Sequence, residues 1–195
     1  MPPSRSLRVL VDAAAKCRGC DLYRGATQTV FGEGKRDAPL ILVGEQPGDR
    51  EDEQGHPFVG PAGRVLWRCL DAAGIDPAEV FATNAVKHFK HEVRGKRRLH
   101  KRPTAGEVEA CHPWLAAELE VVRGRVVVAL GAVAARALLG RPVPIGDSRG
   151  ERFDLDGRTV LVTYHPSAVL RADDEAAEIR AALVADLRGA IDLAR

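Results

Sequence analysis

Runs of consecutive apolar residues alternate with helical patterns along this chain, and this alternation constrains the fold more than any other feature. Residues 40–43 and 126–130 are apolar at every position, as expected for strands that are covered on both faces. Strands that alternate with helices in this way are typical of a parallel sheet with crossover helices. We therefore expect one α/β domain over residues 1–195, with three layers (α/β/α) and a central, mainly parallel four-stranded sheet.

The spacing of apolar residues predicts the position of each element. Strands are predicted at residues 39–44, 80–86, 125–130 and 159–164, and a short antiparallel strand at 149–155. Helices are predicted at residues 60–74, 104–122, 132–139 and 173–194. Ligands of such sheets bind beyond the carboxyl ends of the strands, so the loops after Val43, Val86 and Tyr164 form the candidate site.

The N-terminus superficially resembles a signal peptide, because an apolar stretch is followed by small residues. Arg8 interrupts this stretch and Asp12 ends it, so we expect a helix at the start of a cytoplasmic protein. No window of the sequence approaches the ~20 apolar residues that are needed to span a membrane. In a cytosolic chain, four cysteines indicate metal binding or catalysis before disulfides.

A strongly basic segment occupies residues 87–102. It holds eight Lys or Arg and three His in sixteen residues, including Lys-Arg-Arg-Leu-His at 96–100. The chain has 29 basic and 27 acidic residues, which leaves 21 basic and 26 acidic residues outside this segment. Such concentrated charge favours a polyanion, since phosphate neutralisation supplies most of the sequence-independent affinity for nucleic acid. A solvated loop or a targeting tract is the alternative.

The cysteines divide into candidate metal ligands and one core residue. Cys17 and Cys20 are separated by two residues and can chelate one metal centre, and Cys111 is a third candidate. Cys69 lies on the apolar stripe of a predicted helix, where it acts as a small apolar residue. Spacing does not decide which histidine is the fourth ligand; the candidates are His88, His91 and His112.

The loops after the predicted strands carry side chains that suit a nucleobase. Asn84 ends the second strand with an amide that can read the edge of a pyrimidine, although a turn residue is its commoner role. Phe58 lies in a proline-stiffened loop, where an aromatic ring stacks on a base or packs in the core. His165 precedes a proline and is aimed off the sheet, or else it caps the following helix.

These motifs resemble the uracil-DNA glycosylase superfamily, family 4, in their order and spacing over nearly the whole chain. The motifs are Cys17-x-x-Cys20, GEQPG at 44–48, PFVG at 57–60, TNAVK at 83–87 and HPS at 165–167. The resemblance implies the fold of that superfamily and a structural four-iron four-sulfur cluster held by Cys17, Cys20 and Cys111. His88 stands where the family has its remaining cysteine, so the resemblance implies His88 as the fourth ligand.

The loop between His88 and Cys111 is longer than in ordinary family 4 enzymes and resembles the UdgX branch. Members of that branch bind uracil-containing DNA and become covalently joined to it through a histidine that corresponds to His100. The resemblance implies a monomer that acts in DNA repair on single- or double-stranded DNA, excises uracil and captures deoxyribose C1′ with His100 in a single turnover. The alternatives are a conventional turnover glycosylase and a non-catalytic, metal-stabilised DNA-binding module.

The resemblance also assigns roles to individual residues. Catalytic roles are implied for His100, for His165 as a donor to uracil oxygen, and for Glu45 as the group that orients or deprotonates His100. Uracil binding is implied for Gln46, Phe58, Asn84 and His165. DNA contacts are expected from the basic loop at 87–104 and the last motif, at Lys87, Lys96, Arg97, Arg98, Lys101, Arg102 and Ser167. The alternative for Arg98 is that it anchors the loop. The bases beside His100 are expected to keep its imidazole uncharged.

Overall fold

The structure, a computed structural model, describes residues 6–195, so the first five residues of the predicted N-terminal segment lie outside the described residues. The helices are α1 (Leu7–Ala14), α2 (Asp49–Gln54), α3 (Pro61–Ala73), α4 (Ala105–Val121), α5 (Ala132–Leu139), α6 (Ile145–Ser148), α7 (Ser167–Arg171) and α8 (Ala176–Ala194). The strands are β1 (Glu33–Gly34), β2 (Leu40–Gly44), β3 (Val80–Asn84), β4 (His91–Arg94), β5 (Arg97–His100), β6 (Val126–Leu130), β7 (Arg152–Leu155) and β8 (Arg158–Thr163). None of these helices is long and apolar enough to cross a membrane.

The main sheet is mixed and has six strands in the order β1-β3-β2-β6-β8-β7. Its four inner strands are parallel and are the four predicted ones, whereas β1 and β7 pair antiparallel at the edges. The prediction of a four-stranded sheet was therefore wrong in strand number. The edge strand β1 has only two residues and no apolar alternation, so tertiary pairing with β3 forms it. The predicted short antiparallel strand is confirmed as β7.

Helices cover both faces of the main sheet, which confirms the three-layer arrangement. On one face, α1, α4 and α5 pack against Ile41, Val127 and their neighbours. On the other face, α3 and α8 pack against Leu40, Leu42 and Val128. Adjacent residues of one strand thus enter opposite cores, which explains why β2 and β6 are apolar at every position and fully buried.

The basic segment folds into a two-stranded antiparallel hairpin, β4 and β5, which forms a second sheet. His91 lies opposite His100 at its base, and Gly95 takes a positive φ of 58° at its turn. The sequence analysis expected a loop here, because polar residues occupy both faces of the hairpin and leave no apolar alternation. The hairpin places His100 at the end of β5, beside the main sheet.

The carboxyl ends of the parallel strands meet at one edge of the main sheet. Gly44 at the end of β2 lies opposite Asn84 at the end of β3. The loop after β8 carries His165, and its backbone continues into α7. Side chains from motifs that are far apart in the sequence therefore converge at this edge, as the sequence analysis expected.

Candidate active site

Two adjoining cavities open at the carboxyl edge of the sheet. The first has a volume of about 610 Å³, and its wall includes Phe58, Asn84, His100 and His165. The second has a volume of about 440 Å³ and is lined by Glu45 and Arg102, among others. The residues that line both cavities are Gln46, His100, His165, Ser167 and Arg171. The structure thus brings together the side chains that were predicted to meet the base and the sugar, which are Glu45, Gln46, Phe58, Asn84, His100 and His165.

Asn84 and Phe58 line the first cavity side by side. Gly44 makes this arrangement possible, because a Cβ atom there would lie 2.3 Å from Oδ1 of Asn84 and 2.7 Å from Cζ of Phe58. Phe58 has a φ of 56°, a costly conformation for a bulky residue, and Nε1 of Trp67 donates to its carbonyl oxygen at 3.0 Å. The result is an aromatic face beside an amide, which are the two groups needed to hold a single base.

His165 presents a neutral ring to the cavities. The backbone N–H of Ser167 donates to Nδ1 of His165 at 3.1 Å, and Oγ of Ser167 lies 2.7 Å from the same nitrogen. Because Nδ1 accepts, the neutral ring carries its proton on Nε2. Burial, together with the charge of Arg171 and the neighbouring His100, lowers the pKa of His165 to about 4. His165 is therefore an uncharged hydrogen-bond donor at neutral pH.

His100 lies in the wall between the two cavities with an available lone pair. Its Nε2 is 2.9 Å from Nε2 of Gln46, and an amide nitrogen only donates, so Nε2 of His100 is the acceptor. Partial burial and then the charge of Arg171 lower the pKa of His100, whose side chain is 51% exposed, while Glu51 acts in the opposite direction. The expected uncharged state is supported, but its causes are burial and Arg171 rather than the adjacent bases of the hairpin.

Glu45 is the carboxylate next to His100. Its Oε1 lies 3.6 Å from Nε2 of His100. Burial raises the pKa of Glu45, and the charges of Arg102 and Arg171 oppose that rise. Glu45 thus lies beside Nε2 of His100, the nitrogen that carries the lone pair, and not beside Nδ1. This position suits a carboxylate that stabilises positive charge on the ring better than one that removes the proton from Nδ1.

Gln46 supports the base of the hairpin. The two hydrogens of its Nε2 are shared among three acceptors: the carbonyl oxygens of Lys90 at 3.2 Å and Lys101 at 3.0 Å, and Nε2 of His100 at 2.9 Å. Its Oε1 accepts from the N–H of Lys90 at 3.1 Å. These contacts engage the amide that was expected to bind uracil. In this arrangement Gln46 fixes the two ends of the hairpin and, through them, the position of His100.

Arg98 points into the protein and anchors the hairpin. Its Nη1 lies 2.6 Å from Oδ2 of the fully buried Asp52, and its Nε lies 2.6 Å from Oδ1 of Asp49. Nη1 also donates to Oγ1 of Thr27 at 3.2 Å. Asp52 is held in turn by the N–H of Thr27, which donates to both of its oxygens at 3.0 Å. Arg98 was expected to anchor the loop or to contact a DNA phosphate, and these contacts support the anchoring role, because they neutralise its charge within the protein.

The other expected DNA contacts differ in their exposure. Lys96 and Arg97 are exposed at the tip of the hairpin, and Lys101 is half exposed beside Glu92 at 2.7 Å. Lys87 contradicts the expectation, because its side chain is only 1% exposed and its ammonium bonds inside the protein. No DNA phosphate can reach it. The charge of the segment had suggested a surface residue, whereas Lys87 lies directly after the buried end of β3.

Three of the candidate metal ligands lie near one another. Burial raises the pKa of Cys111 to about 11, and the thiols of Cys17 and Cys20 contribute to that rise. The N–H of Lys87 donates to Sγ of Cys111 at 3.2 Å, and Nε1 of Trp114 donates to Sγ of Cys17 at 3.1 Å. N–H donors to sulfur are one of the protein's means of tuning an iron–sulfur centre, so the donor chemistry fits such a group. Residues 6–195 do not contain three His, Cys, Asp or Glu already grouped around a metal position.

The fourth ligand stays a prediction. His88 is buried, and burial lowers its pKa despite the charge of Asp52. Nδ1 of His91 is buried and has no hydrogen-bond partner in the described part of the chain, which keeps His91 as the alternative. His112 is exposed and lines a different cavity. Cys69 packs in the core against α8 and its neighbours, as predicted.

Glu51, Leu170 and Arg171 are among the residues that line the first cavity without having been predicted from the sequence. Arg171 donates from Nη1 to Oγ of Ser167 at 2.7 Å and faces both cavities. The spacing from Ser167 to Arg171 was a weak indication of this contact, because residues four positions apart lie on the same face of a helix. Leu170 is 53% exposed, which only the structure reveals.

Comparisons with known proteins are consistent with this site. The family model described as "Uracil DNA glycosylase superfamily" matches residues 31–188. The type-4 uracil-DNA glycosylase of Thermotoga maritima is 36% identical over 186 residues, which cover 94% of this chain and 92% of the relative. The type-4 uracil-DNA glycosylase of Pyrobaculum aerophilum is 34% identical over 196 residues, which cover 95% of each chain. The type-5 uracil-DNA glycosylase of the same organism is 40% identical over 151 residues, which cover 69% of this chain and 63% of the relative.

The variant Arg98→Ala should loosen the hairpin, because it leaves the buried carboxylate of Asp52 without its charged partner. We expect a loss of about 3 kcal/mol in the free energy of unfolding, measured with urea. Hydrogen exchange of the amides at residues 91–100 should accelerate in the same variant. Arg97→Ala is the control, since Arg97 is exposed, and it should change neither quantity. Unchanged exchange in Arg98→Ala would show that Arg98 is not the anchor.

His165 should titrate near pH 4 and not near pH 6.5 when its ring signals are followed by NMR. The unfolded chain binds the proton more tightly, so the contribution of His165 makes the folded protein progressively less stable as pH falls from about 6.5 to about 4. Arg171→Gln should raise the pKa of His165, because it removes a nearby positive charge. The exposed Arg64→Gln is the control. An unperturbed titration in the native protein would refute the neutral-donor assignment.

Proposed function

Because the chain belongs to the uracil-DNA glycosylase superfamily, we propose that this enzyme excises uracil from DNA. The observation that carries the proposal is the first cavity, where Asn84, Phe58 and His165 face the same space. A base in duplex DNA must leave the stack before its glycosidic bond can be reached, and a cavity of this kind accepts a single extruded base. The names of the type-4 relatives support the same reaction here.

Asn84 and Phe58 supply recognition in this proposal. The amide of Asn84 accepts from the ring N–H of uracil and donates to the neighbouring carbonyl oxygen, whereas cytosine presents the opposite pattern at these two positions. The ring of Phe58 stacks on the base. Gly44 contributes by its missing side chain, since a Cβ atom would displace both groups.

His165 stabilises the departing base in this proposal. Its Nε2–H donates to the uracil oxygen that gains negative charge as the bond to C1′ breaks. One such donor is commonly worth about 3 kcal/mol of the barrier. The lowered pKa of His165 suits this task, because a neutral ring with a fixed tautomer donates without a change of protonation state. The sugar is left with the character of an oxocarbenium ion.

Two nucleophiles can reach that cation, which gives two candidate outcomes. In the conventional outcome water adds to C1′, uracil and abasic DNA are released, and the enzyme turns over. The type-4 names of the relatives favour this outcome. In the second outcome Nε2 of His100 gives up its hydrogen bond from Gln46 and forms a bond to C1′ as the bond to uracil breaks. The alkylated ring then loses its Nδ1 proton to solvent, and the departing uracil anion takes up a proton from solvent.

The arrangement of His100 and Glu45 is the observation that favours capture of the sugar as a second candidate. The lone pair of His100 lies in the wall shared by the two cavities, its pKa is lowered, and Oε1 of Glu45 is 3.6 Å from the same nitrogen. An uncharged imidazole is a nucleophile, and a nearby carboxylate stabilises the positive charge that the ring acquires on attack. Gln46 and Arg98 hold the hairpin that carries His100.

Exposed bases of the hairpin and of the residues that follow it provide the phosphate contacts in this proposal. The residues are Lys96, Arg97, Lys101 and Arg102, together with Ser167. We further propose that Cys17, Cys20, Cys111 and His88 hold an iron–sulfur cluster, and that the protein acts as a monomer. When bound, such a cluster supplies a cross-link between the N-terminal segment and α4, behind the cavities.

Free uracil and trapped DNA should separate the two outcomes. An oligonucleotide with one uracil is incubated with the protein, and released uracil is counted per protein molecule while a denaturing gel reports DNA bound to protein. If His100 captures the sugar, the native protein should release about one uracil per protein molecule and give a shifted band on the gel. The variant His100→Ala should then release uracil in excess of the protein and give no shifted band. The conventional enzyme predicts excess uracil and no shifted band already in the native protein. A native protein that releases no uracil would contradict the proposed function altogether.

Asn84→Ala should remove the preference for uracil over cytosine without removing affinity for DNA. We expect the ratio of the two Kd values to fall about 10- to 100-fold, the worth of a pair of good hydrogen bonds to a base. Fluorescence anisotropy measures the ratio with two oligonucleotides that differ only at this base and carry a 2′-fluorine on its deoxyribose, which slows cleavage. Lys96→Ala is the matched control, because loss of a phosphate contact weakens both complexes alike. A full preference retained in Asn84→Ala would exclude the base-reading role.

A further inference from the structure

We propose that Lys87 is a positioning residue, which acts together with Glu118 to fix the main chain of Asn84 and thereby sets the discrimination between uracil and cytosine. The inference rests on the proposed function and deepens it. Lys87 and Glu118 are 1% and 0% exposed and lie directly beneath the carboxyl end of β3. Neither residue contacts the cavities, so their effect is transmitted through Asn84.

The ammonium of Lys87 uses all three of its protons within the protein. Nζ donates to the carbonyl oxygen of Asn84 at 2.7 Å, to Oγ1 of Thr83 at 2.7 Å and to Oε2 of Glu118 at 2.5 Å. Asn84 is the last residue of β3, so its carbonyl group lies where the strand ladder ends. A charged donor at this point holds the backbone from which the amide of Asn84 extends.

The carboxylate of Glu118 is equally well satisfied. Its Oε1 accepts from the N–H of Gly32 at 2.7 Å, and its Oε2 accepts from Oγ1 of Thr83 at 2.8 Å. Gly32 is required for this approach, because a Cβ atom there would lie 2.7 Å from Oε1 of Glu118 and 2.6 Å from the ring of Phe81. Gly32, β3 and α4 thus all contact the charged pair of Lys87 and Glu118.

Stability alone does not account for a charged pair at this position. Burial of an ion pair costs the hydration of both charges. Replacement of such a pair by apolar residues of similar volume therefore often leaves the stability of the protein unchanged or raises it. An apolar pair, however, offers no donor to the carbonyl oxygen of Asn84. The function of the pair is therefore assigned to the placement of Asn84, whose small displacement would misalign two hydrogen bonds to the base.

The test separates positioning from stability with a double variant. Lys87→Met alone leaves the carboxylate of Glu118 buried and unpaired, so we expect a much lower Tm. In Lys87→Met with Glu118→Gln the amide still accepts from Gly32 and donates to Thr83, so most of the Tm should return. The donor to Asn84 is still missing. The ratio of Kd values for cytosine- and uracil-containing oligonucleotides, both with the 2′-fluorine that slows cleavage, should therefore fall about 10- to 100-fold.

Thr83→Val is the matched control, because it removes a hydroxyl that bonds to both charged groups but keeps the bond from Lys87 to Asn84. It should lower the Tm and leave the ratio of Kd values unchanged. A partly unfolded protein weakens both complexes equally, so the ratio is insensitive to a merely structural effect. A folded double variant with the native ratio would overturn the proposal.

Glu118→Asp replaces the double variant if that protein does not fold. It keeps both charges, but the side chain at position 118 is one methylene group shorter. The ammonium of Lys87 should follow the carboxylate and move away from the carbonyl oxygen of Asn84. A lower ratio supports the proposal, and a native ratio overturns it. The proposed function fails separately, when the native protein itself shows no preference for uracil and releases none.

Discussion

The buried ion pair of Lys87 and Glu118 is the interaction on which the site depends most. It joins β3, α4 and the segment at Gly32 at one point below Asn84. The N–H of Lys87 also donates to Sγ of Cys111, so the same residue connects the cysteines with the end of β3. Backbone groups at the end of a strand lose their hydrogen-bond partners in the sheet. At the end of β3 the ammonium of Lys87 supplies such a partner to the carbonyl oxygen of Asn84.

The charges of the basic segment serve two different purposes. Arg98 is neutralised by Asp49 and Asp52 and holds the hairpin, whereas the bases at its tip stay in solvent. The cavities need uncharged histidines, and burial with Arg171 provides them. The two rings are arranged in opposite senses, with an accepting Nε2 on His100 and a donating Nε2 on His165. In the proposed mechanism, excision uses the donor of His165 at the base, and capture would use the acceptor of His100 at the sugar.

The sequence predicted the inner sheet and the convergence of the motifs, because both follow from local patterns. Apolar runs define the four inner strands, and strand ends define where Phe58, Asn84 and His165 meet. The edge strand β1 and the basic hairpin carry no apolar alternation, so they were not predictable as strands. The burial of Lys87 depends on Glu118, a partner 31 positions away on another element. Arg171 likewise acquires its role only when α7 faces the hairpin.

The most direct test of the central claim, that one cavity reads and holds uracil, is a crystal structure with bound DNA. An oligonucleotide with 2′-fluoro-2′-deoxyuridine suits this purpose, because the fluorine disfavours the oxocarbenium ion and slows cleavage. We expect uracil to be extruded into the first cavity, stacked on Phe58, paired with the amide of Asn84 and within reach of Nε2 of His165. A base that stays in the helix, or that lies outside this cavity with Asn84 unpaired, would contradict it.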